Sequence, residues 1–347
     1  MTHARVLLVG AGYFAAFHAQ AWRALGATLA GVVDRDAERA RTGAHAWGAA
    51  FAETDLDRAL DRARPTLVDV VLPPAAQRPV VEAALQRGLP TLCQKPFGTD
   101  LGDAQAMVDA AARAGAPLVV HENFRFAPWF RECRRLVDQG FFGRLHGMAV
   151  RLRPGDGQGP GAYLDRQPYF QRMPRLLVRE TGIHFVDTFR FLLGEVRAVT
   201  AHLRRLNPVI AGEDAALVHF EFDDLRSAVF DGNRLNESPA ADPRRTLCEA
   251  WLEGEAGVMR LDGDGRLWWK PQGRPEAAHA YPHDAPGPFG GAVAALQAHV
   301  LAHLSDGAPL HNAAADYLQN LRVESAIYES HASGRRIALA PPTPEAA

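Results

Sequence analysis

A glycine-rich turn between a short apolar run and a helical segment constrains the fold more than any other feature of this sequence. Residues 6–9 are apolar, and residues 10–15 read Gly-Ala-Gly-Tyr-Phe-Ala. In such a turn Gly10 permits the tight bend, Gly12 lets the backbone approach a pyrophosphate, and Ala15 packs the helix closely on the strand. The N-terminus of the helix adds unpaired N–H groups and a positive dipole end, so the turn predicts a dinucleotide-binding β–α unit. The residues of the turn that we expect to contact the dinucleotide are Gly10, Gly12, Tyr13 and Phe14.

An acidic residue ends the second apolar run. Residues 28–33 are apolar and Asp34 follows them, about 20 residues after Gly12, where a carboxylate can accept a hydrogen bond from the adenine-ribose 2′-hydroxyl. Because a carboxylate also repels a 2′-phosphate, Asp34 favours NAD as the cofactor. Arg35 lies beside it and could pair with that phosphate, so NADP is not excluded. A helix-capping role for Asp34 is the alternative interpretation.

The pattern of apolar runs divides the chain into two parts. Up to about residue 120, short apolar runs alternate with helical segments, which predicts right-handed βαβ units and a parallel sheet. After about residue 125, strand-like runs follow one another through short turns, which predicts a mostly antiparallel sheet with a few helices. We predict an α/β fold with a Rossmann domain over residues 1–122, an α+β domain over 123–340 and a disordered tail over 341–347.

Charge and cysteine content exclude several classes of protein. The sequence has 38 Lys and Arg residues against 40 Asp and Glu, so it lacks the basic excess of a nucleic-acid-binding protein. Three cysteines, Cys93, Cys133 and Cys248, are too few for a disulfide framework and indicate a reducing compartment. No apolar run approaches the roughly 20 residues of a membrane helix, and the first residues do not resemble a signal peptide. We therefore expect a cytoplasmic protein that binds neither nucleic acid nor membrane.

A lysine follows one of the apolar runs of the predicted parallel sheet. Residues 91–93 form the run, and Gln94-Lys95-Pro96 comes directly after it. Ligands of such sheets bind beyond the carboxyl ends of the strands, so Lys95 is expected near the nicotinamide end of the dinucleotide. Its ammonium group could polarise a substrate oxygen and stabilise the alkoxide that forms there. The alternative is a surface lysine in a turn.

Glu180 and His184 lie four residues apart at the start of a helix predicted over about 181–193. Oxidation of an alcohol requires a proton to leave oxygen as a hydride leaves carbon, and histidine is the side chain that most often accepts such a proton. If one helix contains both residues, Glu180 lies on the same face and can orient the imidazole. Two alternatives are an ordinary surface pair and a metal site completed by Asp187. Because hydride transfer to NAD needs no metal, we predict none.

Several of these segments together resemble the Gfo/Idh/MocA oxidoreductases, which include glucose–fructose oxidoreductase and inositol dehydrogenase. The resemblance covers most of the chain and rests on residues 10–15, 73–74, 94–96, 123–128 and 180–187. The Gln-Lys-Pro sequence is similar to the Glu-Lys-Pro of that family, and the last segment is similar to its Asp-x-x-x-His signature on the helix that faces the nicotinamide. The resemblance implies a Rossmann domain, a second domain with a large open sheet, and a homodimer or homotetramer.

Two positions depart from the family pattern. Gln94 stands where the family has glutamate, which removes a charge beside Lys95. Glu180 stands where the family has aspartate and is one methylene longer. Both changes bear on how the reacting groups are positioned. The resemblance also places Pro73 and Lys95 among the residues that contact the cofactor.

The residues expected to bind a sugar or polyol have polar side chains, and several lie in a Gly/Pro-rich loop at 154–175. They are Lys95, Asn123, Arg125, Asp156, Tyr163, Asp165, Glu180 and His184. Residues 121–126, with the later Arg-Gln-Pro-Tyr and Glu-Thr-Gly-Ile-His sequences, are similar to a pentose-dehydrogenase subgroup that includes apiose-type sugar dehydrogenases.

The leading hypothesis is an NAD(P)-dependent dehydrogenase that oxidises a sugar or polyol hydroxyl, with His184 as the catalytic proton acceptor, oriented by Glu180, and Lys95 polarising the substrate oxygen. Two alternatives stay open: an NAD-dependent glycoside hydrolase that works by transient oxidation, and a non-catalytic NAD(P)-binding sensor. The lack of an extended glycan-binding segment weighs against the hydrolase. A sensor has no need of proton-transfer groups, so the presence of both Lys95 and His184 weighs against it.

Overall fold

The computed structural model describes residues 4–283 and 288–340. The chain divides into two compact units, each discontinuous in sequence. The first comprises Met1–Asn123 and Val293–Leu318, and the second comprises Phe124–Ala292 and Gln319–Ala347. The tail predicted over residues 341–347 lies outside the described residues.

Within the described residues, the first unit contains a six-stranded sheet whose strands pair in parallel. Its strand order is β3-β2-β1-β4-β5-β6, the order of a doubly wound dinucleotide-binding sheet, and the order reverses direction at β1. The strands are β1 (Arg5–Val9), β2 (Thr28–Val33), β3 (Ala52–Glu53), β4 (Leu67–Val70), β5 (Thr91–Gln94) and β6 (Leu118–His121).

The central strands of this sheet are buried on both faces. Val6, Leu7 and Leu8 of β1 have no exposed surface. Strands covered by helices on both sides bury near-continuous apolar runs, which is why the apolar pattern of the sequence locates them. The helices of this part are α1 (Ala15–Ala24), α2 (Ala37–Trp47), α3 (Leu56–Ala63), α4 (Pro74–Gln86) and α5 (Leu101–Ala114).

Acidic side chains cap the N-termini of three of these helices, where they accept hydrogen bonds from N–H groups of the first turn. Asp36 caps α2, Asp55 caps α3 and Asp100 caps α5. The elements β3 and α3 were not predicted from the sequence. The strand has two residues and the helix eight, so neither produces a long periodic signal. The cap at Asp55, followed by buried Ala59, Leu60 and Ala63, is the signal that could have found α3.

The segment Val293–Leu318 groups with the first unit, although we expected residues 123–340 to form one domain. It contains most of α8 (Ala292–Asp306) and the first residues of α9 (Ala314–Ser333). Asn312 accepts a hydrogen bond from the Val120 N–H at 3.0 Å, and Ala313 forms an isolated bridge with Val119. The segment therefore supplies backbone partners to β6, which would otherwise be an unpaired edge strand.

In the described part of the second unit, nine strands form one sheet in the order β14-β13-β12-β11-β7-β10-β9-β8-β15. The pairs are antiparallel except for β7 with β10. The strands are β7 (Leu145–Leu152), β8 (Ala198–Arg204), β9 (Ala215–Glu221), β10 (Ser227–Asn233), β11 (Cys248–Gly254), β12 (Gly257–Leu261), β13 (Leu267–Pro271), β14 (Ala277–His279) and β15 (Ile337–Ala338).

Burial alternates along the strands of this sheet, as it does in β9, so one face is covered and the other is exposed. The helices α6 (Pro128–Asp138) and α7 (Ile183–Leu193) belong to the same unit. The predicted fold class is confirmed: a parallel Rossmann sheet comes first and a large, mostly antiparallel sheet follows. The sequence analysis missed β14 and β15, which have three and two residues.

Helices over residues 4–283 and 288–340 are too short or too polar to cross a membrane. Within the same residues Cys93, Cys133 and Cys248 are buried and form no disulfide.

Replacing Leu7 with alanine should lower the free energy of unfolding by about 2–5 kcal/mol, because it leaves a cavity between packed layers of the first unit. Urea denaturation followed by circular dichroism measures the change. The matched control is Leu225→Ala, since Leu225 is 96% exposed and its loss should cost less than about 0.5 kcal/mol. Equal effects of the two substitutions would contradict the burial of β1.

Candidate active site

The glycine turn after β1 has the geometry that a pyrophosphate requires. Gly10 adopts a φ of 103°, and a Cβ placed on it would lie 2.2 Å from the carbonyl oxygen of Val71. A Cβ on Gly12 would meet nothing within 4 Å, so this part of the turn faces open space. The side chain of Phe14, the N-cap residue, makes no hydrogen bond to the first N–H groups of α1. The first turn of α1 contains no acidic residue. The turn therefore fits a phosphate group.

Asp34 is bound to the glycine turn. Its Oδ2 accepts a hydrogen bond from the Ala11 N–H at 2.8 Å, and its Oδ1 accepts one from the Asp36 N–H at 2.9 Å. The capping interpretation of Asp34 is wrong, because Asp36 caps α2. A carboxylate has about four acceptor positions, so both oxygens keep capacity for ribose hydroxyls. Arg35 beside it is exposed.

The other cofactor residues predicted for this unit lie at element ends. Tyr13 is 47% exposed, and its ring packs edge-on against Phe17. Pro73 is exposed and is the N-cap residue of α4, whose first helical position is taken by Pro74. Lys95 is half-buried and follows β5 directly. Burial raises the pKa of the neighbouring Cys93 thiol well above its ordinary value, so that group stays protonated.

A buried glutamine holds the loop around Lys95, and the sequence analysis did not identify it. The Gln77 amide nitrogen lies 2.8–3.0 Å from the carbonyl oxygens of Leu72, Gln94 and Pro96. Its carbonyl accepts the Gly98 N–H at 2.9 Å. Gln77 thus joins the ends of β4 and β5 through groups that the strands leave unpaired. A polar residue on an otherwise ordinary helix gives no sequence signal for this role.

The helix predicted over about 181–193 is confirmed as α7, but a π turn precedes it and contains Glu180. Val178–Gly182 forms a π turn, and α7 begins at Ile183. Glu180 therefore lies in the π turn and His184 in α7, so the regular i, i+4 alignment does not relate them. The His184 ring is 6% exposed and stacks on Phe124, with centroids 4.0 Å apart and planes 4° from parallel.

A buried carboxylate anchors the entrance to the π turn. Glu213 accepts hydrogen bonds from the N–H groups of Leu176 and Val178 at 3.2 and 2.9 Å. The Tyr328 hydroxyl donates a third, at 2.6 Å. Charge-assisted bonds of this kind are stronger than neutral ones, so Glu213 is the main polar anchor of the segment that carries Glu180. The residues that Glu213 bonds are far from it in sequence, so sequence reasoning missed it.

A second buried acid holds Arg179 of the π turn. Glu324 is 3% exposed and lies 3.0 Å from the Arg179 guanidinium. Burial raises the pKa of the Glu324 carboxyl, and Arg179 lowers it in part. Arg179 and Glu180 are neighbours, so this ion pair restrains the backbone next to the predicted catalytic acid.

Arg125 makes a bidentate ion pair inside the second unit. Its Nε and its second guanidinium nitrogen donate to the two carboxylate oxygens of Asp187 at 2.7 and 2.6 Å. Asp187 is fully buried and also accepts from the Asn320 amide at 2.8 Å. These bonds hold α7. The described geometry therefore supports a structural ion pair at Arg125, and not the predicted contact with a sugar. No three His, Cys, Asp or Glu side chains among the described residues group as metal ligands.

The loop predicted to bind substrate forms a charged cluster that reaches the π turn. Asp156 accepts hydrogen bonds from Arg166 at 2.8 Å and from Arg234 at 2.6 and 3.1 Å. Arg234 also donates to the Thr181 hydroxyl at 2.7 Å and lies over the Tyr163 ring. Burial raises the pKa of the Tyr163 phenol to about 12, so it stays neutral. Asp156 and Tyr163 are thus brought together around Arg234, which the sequence analysis did not single out.

The remaining predicted substrate residues are placed differently. Asp165 is exposed on the same loop. Asn123 is 2% exposed and is the last residue of the first segment of the first unit.

Arg125→Ala should lower the free energy of unfolding of the second unit by about 3–5 kcal/mol, because it leaves the buried Asp187 carboxylate without the guanidinium that balances its charge. Thermal and urea denaturation measure the loss. Arg144→Ala removes an arginine from an exposed pair with Glu255 and should cost within about 1 kcal/mol. Unchanged stability in Arg125→Ala would show instead that Arg125 is available to a ligand.

Comparisons with known proteins agree over both parts of the chain. Residues 4–122 match an oxidoreductase family with an NAD-binding Rossmann fold, and residues 130–260 match the GFO/IDH/MocA C-terminal domain. A D-apiose dehydrogenase of Paraburkholderia graminis is 33% identical over 96% of this chain and 88% of its own length. A D-apiose dehydrogenase of Rhizobium rhizogenes is 30% identical over 97% of this chain and 98% of its own length.

A solved structure supports the same assignment. The crystal structure of an oxidoreductase from Agrobacterium radiobacter in complex with NAD+, L-tartaric acid and magnesium is 28% identical to this chain. It has a TM-score of 0.89 and covers 97% of this chain and 98% of its own. This chain therefore belongs to the Gfo/Idh/MocA oxidoreductase family, whose N-terminal domain is an NAD-binding Rossmann fold.

Proposed function

We propose that this protein is an NAD-dependent dehydrogenase that oxidises a hydroxyl group of a pentose, with D-apiose as the first substrate to test. The observation that carries the proposal is the near-full-length similarity to two D-apiose dehydrogenases at 30–33% identity. The open glycine turn and Asp34 support NAD as the oxidant. We also propose a homodimer or homotetramer located in the cytoplasm.

Each residue of the first unit has a role that follows from its chemistry. The turn at Gly10 and Gly12 binds the pyrophosphate through N–H groups at the start of α1. Asp34 accepts hydrogen bonds from the adenine ribose, and bound NAD would supply the hydride acceptor for the sugar carbon. Lys95 donates a hydrogen bond from its ammonium to the sugar oxygen and stabilises the negative charge that develops on it.

The second unit supplies the proton acceptor. His184 takes the hydroxyl proton as the hydride leaves. General-base catalysis of this kind typically raises the reaction rate by about 10²–10⁴-fold. Its stacking on Phe124 holds the plane of the imidazole, so its two nitrogens keep fixed directions. Glu180 lies in a π turn held by Glu213 and by the ion pair of Arg179 with Glu324, and we assign its carboxylate the role of orienting the imidazole.

The test is to mix the pure protein with NAD and a panel of sugars and polyols and to follow reduced cofactor by absorbance. Oxidation of D-apiose or another pentose supports the proposal. Cleavage of a glycoside without net reduction of NAD would support the hydrolase alternative, and bound NAD without any turnover would support the sensor.

Lys95→Ala should lower kcat by about 10²–10³-fold and leave the Kd for NAD nearly unchanged, because the ammonium acts on the developing charge. Steady-state kinetics and a fluorescence titration measure the two quantities. Lys95 and Lys270 are the two lysines of the sequence, and Lys270 is exposed on β13. Lys270→Ala is therefore the matched control, with normal kcat. A normal kcat in Lys95→Ala would refute the assigned role.

Asp34→Ala should raise the Kd for NAD by about 10- to 100-fold, because the ribose loses hydrogen bonds to a charged acceptor. Binding of NADP should weaken less or improve, because the repulsion of its 2′-phosphate is removed. The control is Asp36→Ala, which removes the cap of α2 but no predicted ribose contact. The ratio of the Kd for NAD to the Kd for NADP should change in Asp34→Ala and stay constant in Asp36→Ala. An unchanged ratio in both would exclude Asp34 as the selectivity residue.

A further inference from the structure

The Gln94 side chain links the backbone of Lys95 to a buried histidine of α1. Gln94 Oε1 lies 2.7 Å from the Lys95 backbone nitrogen, and Gln94 Nε2 lies 3.0 Å from Nε2 of His18. Gln94 is 7% exposed and His18 is fully buried. The contact therefore joins the end of β5 to the helix that follows the glycine turn, inside the first unit.

The direction of every hydrogen bond in this link follows from one fact. A backbone N–H can only donate, so the group facing the Lys95 nitrogen must be the carbonyl oxygen of Gln94. The amide NH2 of Gln94 then faces His18 and donates to it. His18 Nε2 must accept that bond, which places the hydrogen of a neutral imidazole on Nδ1.

The other side of the ring agrees with this assignment. His18 Nδ1 lies 2.8 Å from Oδ2 of Asp69, a fully buried residue of β4. The same oxygen accepts the Trp22 indole N–H at 2.6 Å, and an indole nitrogen can only donate. Asp69 is thus the acceptor for both groups. The ring of His121 packs against that of His18, with centroids 4.0 Å apart and planes tilted by 33°, so a second contact restrains the imidazole.

We propose that Asp69, His18 and Gln94 are positioning residues that fix the backbone of Lys95 and with it the direction of its ammonium. The catalytic meaning of this network rests on the proposed function of Lys95. A buried chain of hydrogen bonds with one consistent direction defines one geometry at low cost, because no donor faces a donor.

The network also explains why residue 94 is a glutamine. A glutamate there would accept the Lys95 N–H equally well, but its second oxygen would face the accepting Nε2 of a neutral His18. That contact requires a second proton on the His18 ring. Gln94 and a neutral His18 therefore form a matched pair.

The first test reads the histidine directly by nitrogen NMR of protein labelled in its imidazole rings, without cofactor. The His18 signals are identified by their loss in His18→Gln. We expect hydrogen on Nδ1 and none on Nε2 at neutral pH, and hydrogen on both nitrogens in Gln94→Glu. An Nε2–H ring in the unaltered protein would overturn the assignment, and so would an unchanged ring in a folded Gln94→Glu variant.

The second test reads the lysine. Because the sequence has two lysines, selective carbon-13 labelling gives two Cε signals, and the exposed Lys270 serves as an internal reference. In Gln94→Leu the Lys95 signal should move towards that of Lys270, while Gln86→Leu, which alters an exposed glutamine of α4, should change neither. An unmoved Lys95 signal in Gln94→Leu would overturn the positioning role.

Kinetic measurements distinguish the positioning role of the network from the proposed dehydrogenase function. With an oxidised sugar identified, Gln94→Leu should lower kcat by about 10- to 100-fold with little change in the KM for NAD, as a small displacement of a reacting group does. A normal kcat together with a shifted Lys95 signal would show that the network is only structural. If no sugar is oxidised, the proposed function fails, and the two NMR measurements still decide the network.

Discussion

The close approach of Gly10 to the carbonyl of Val71 is the constraint on which the first unit depends. A side chain at Gly10 would lie 2.2 Å from that oxygen, so the turn after β1 can pass the end of β4 only as glycine. The order of the sheet reverses direction at β1, and this is the place where doubly wound sheets open a crevice for a ligand. Asp34 then fixes the same turn from the other side, through the Ala11 N–H. Residues that follow three strands, β1, β2 and β4, thus hold the turn in place.

The sequence predicted this part well because its signals are local. Apolar runs, caps and glycines determine the buried strands and the turn, and each acts within a few residues. The parallel pairing could be predicted because strands and helices alternate along the chain. The short β3 and α3, and the grouping of Val293–Leu318 with the first unit, were not predicted. The last of these depends on backbone bonds between Asn312 and Val120, which are far apart in the chain.

The second unit was predicted less completely because its site is held by charges that pair at long range. Asp187 and Glu213 are buried acids whose partners are mostly distant in sequence or are backbone groups. A buried carboxylate is stable only when paired or hydrogen-bonded, so its partners must exist, but their identity depends on the fold. Arg125 illustrates the consequence: its type suits a sugar contact, yet its guanidinium is used to hold α7.

The two departures from the family pattern become intelligible only with local geometry. At position 94 an amide can accept from Lys95 and donate to His18 at once, whereas a carboxylate can only accept. Glu180 lies in the π turn Val178–Gly182, where i→i+5 hydrogen bonds place more residues in a turn than an α-helix has. The regular alignment of positions four apart is lost there, so Glu180 and His184 are not related as they would be in one regular α-helix. Because π turns are rare and frequently lie at functional sites, this irregular turn supports the role proposed for Glu180.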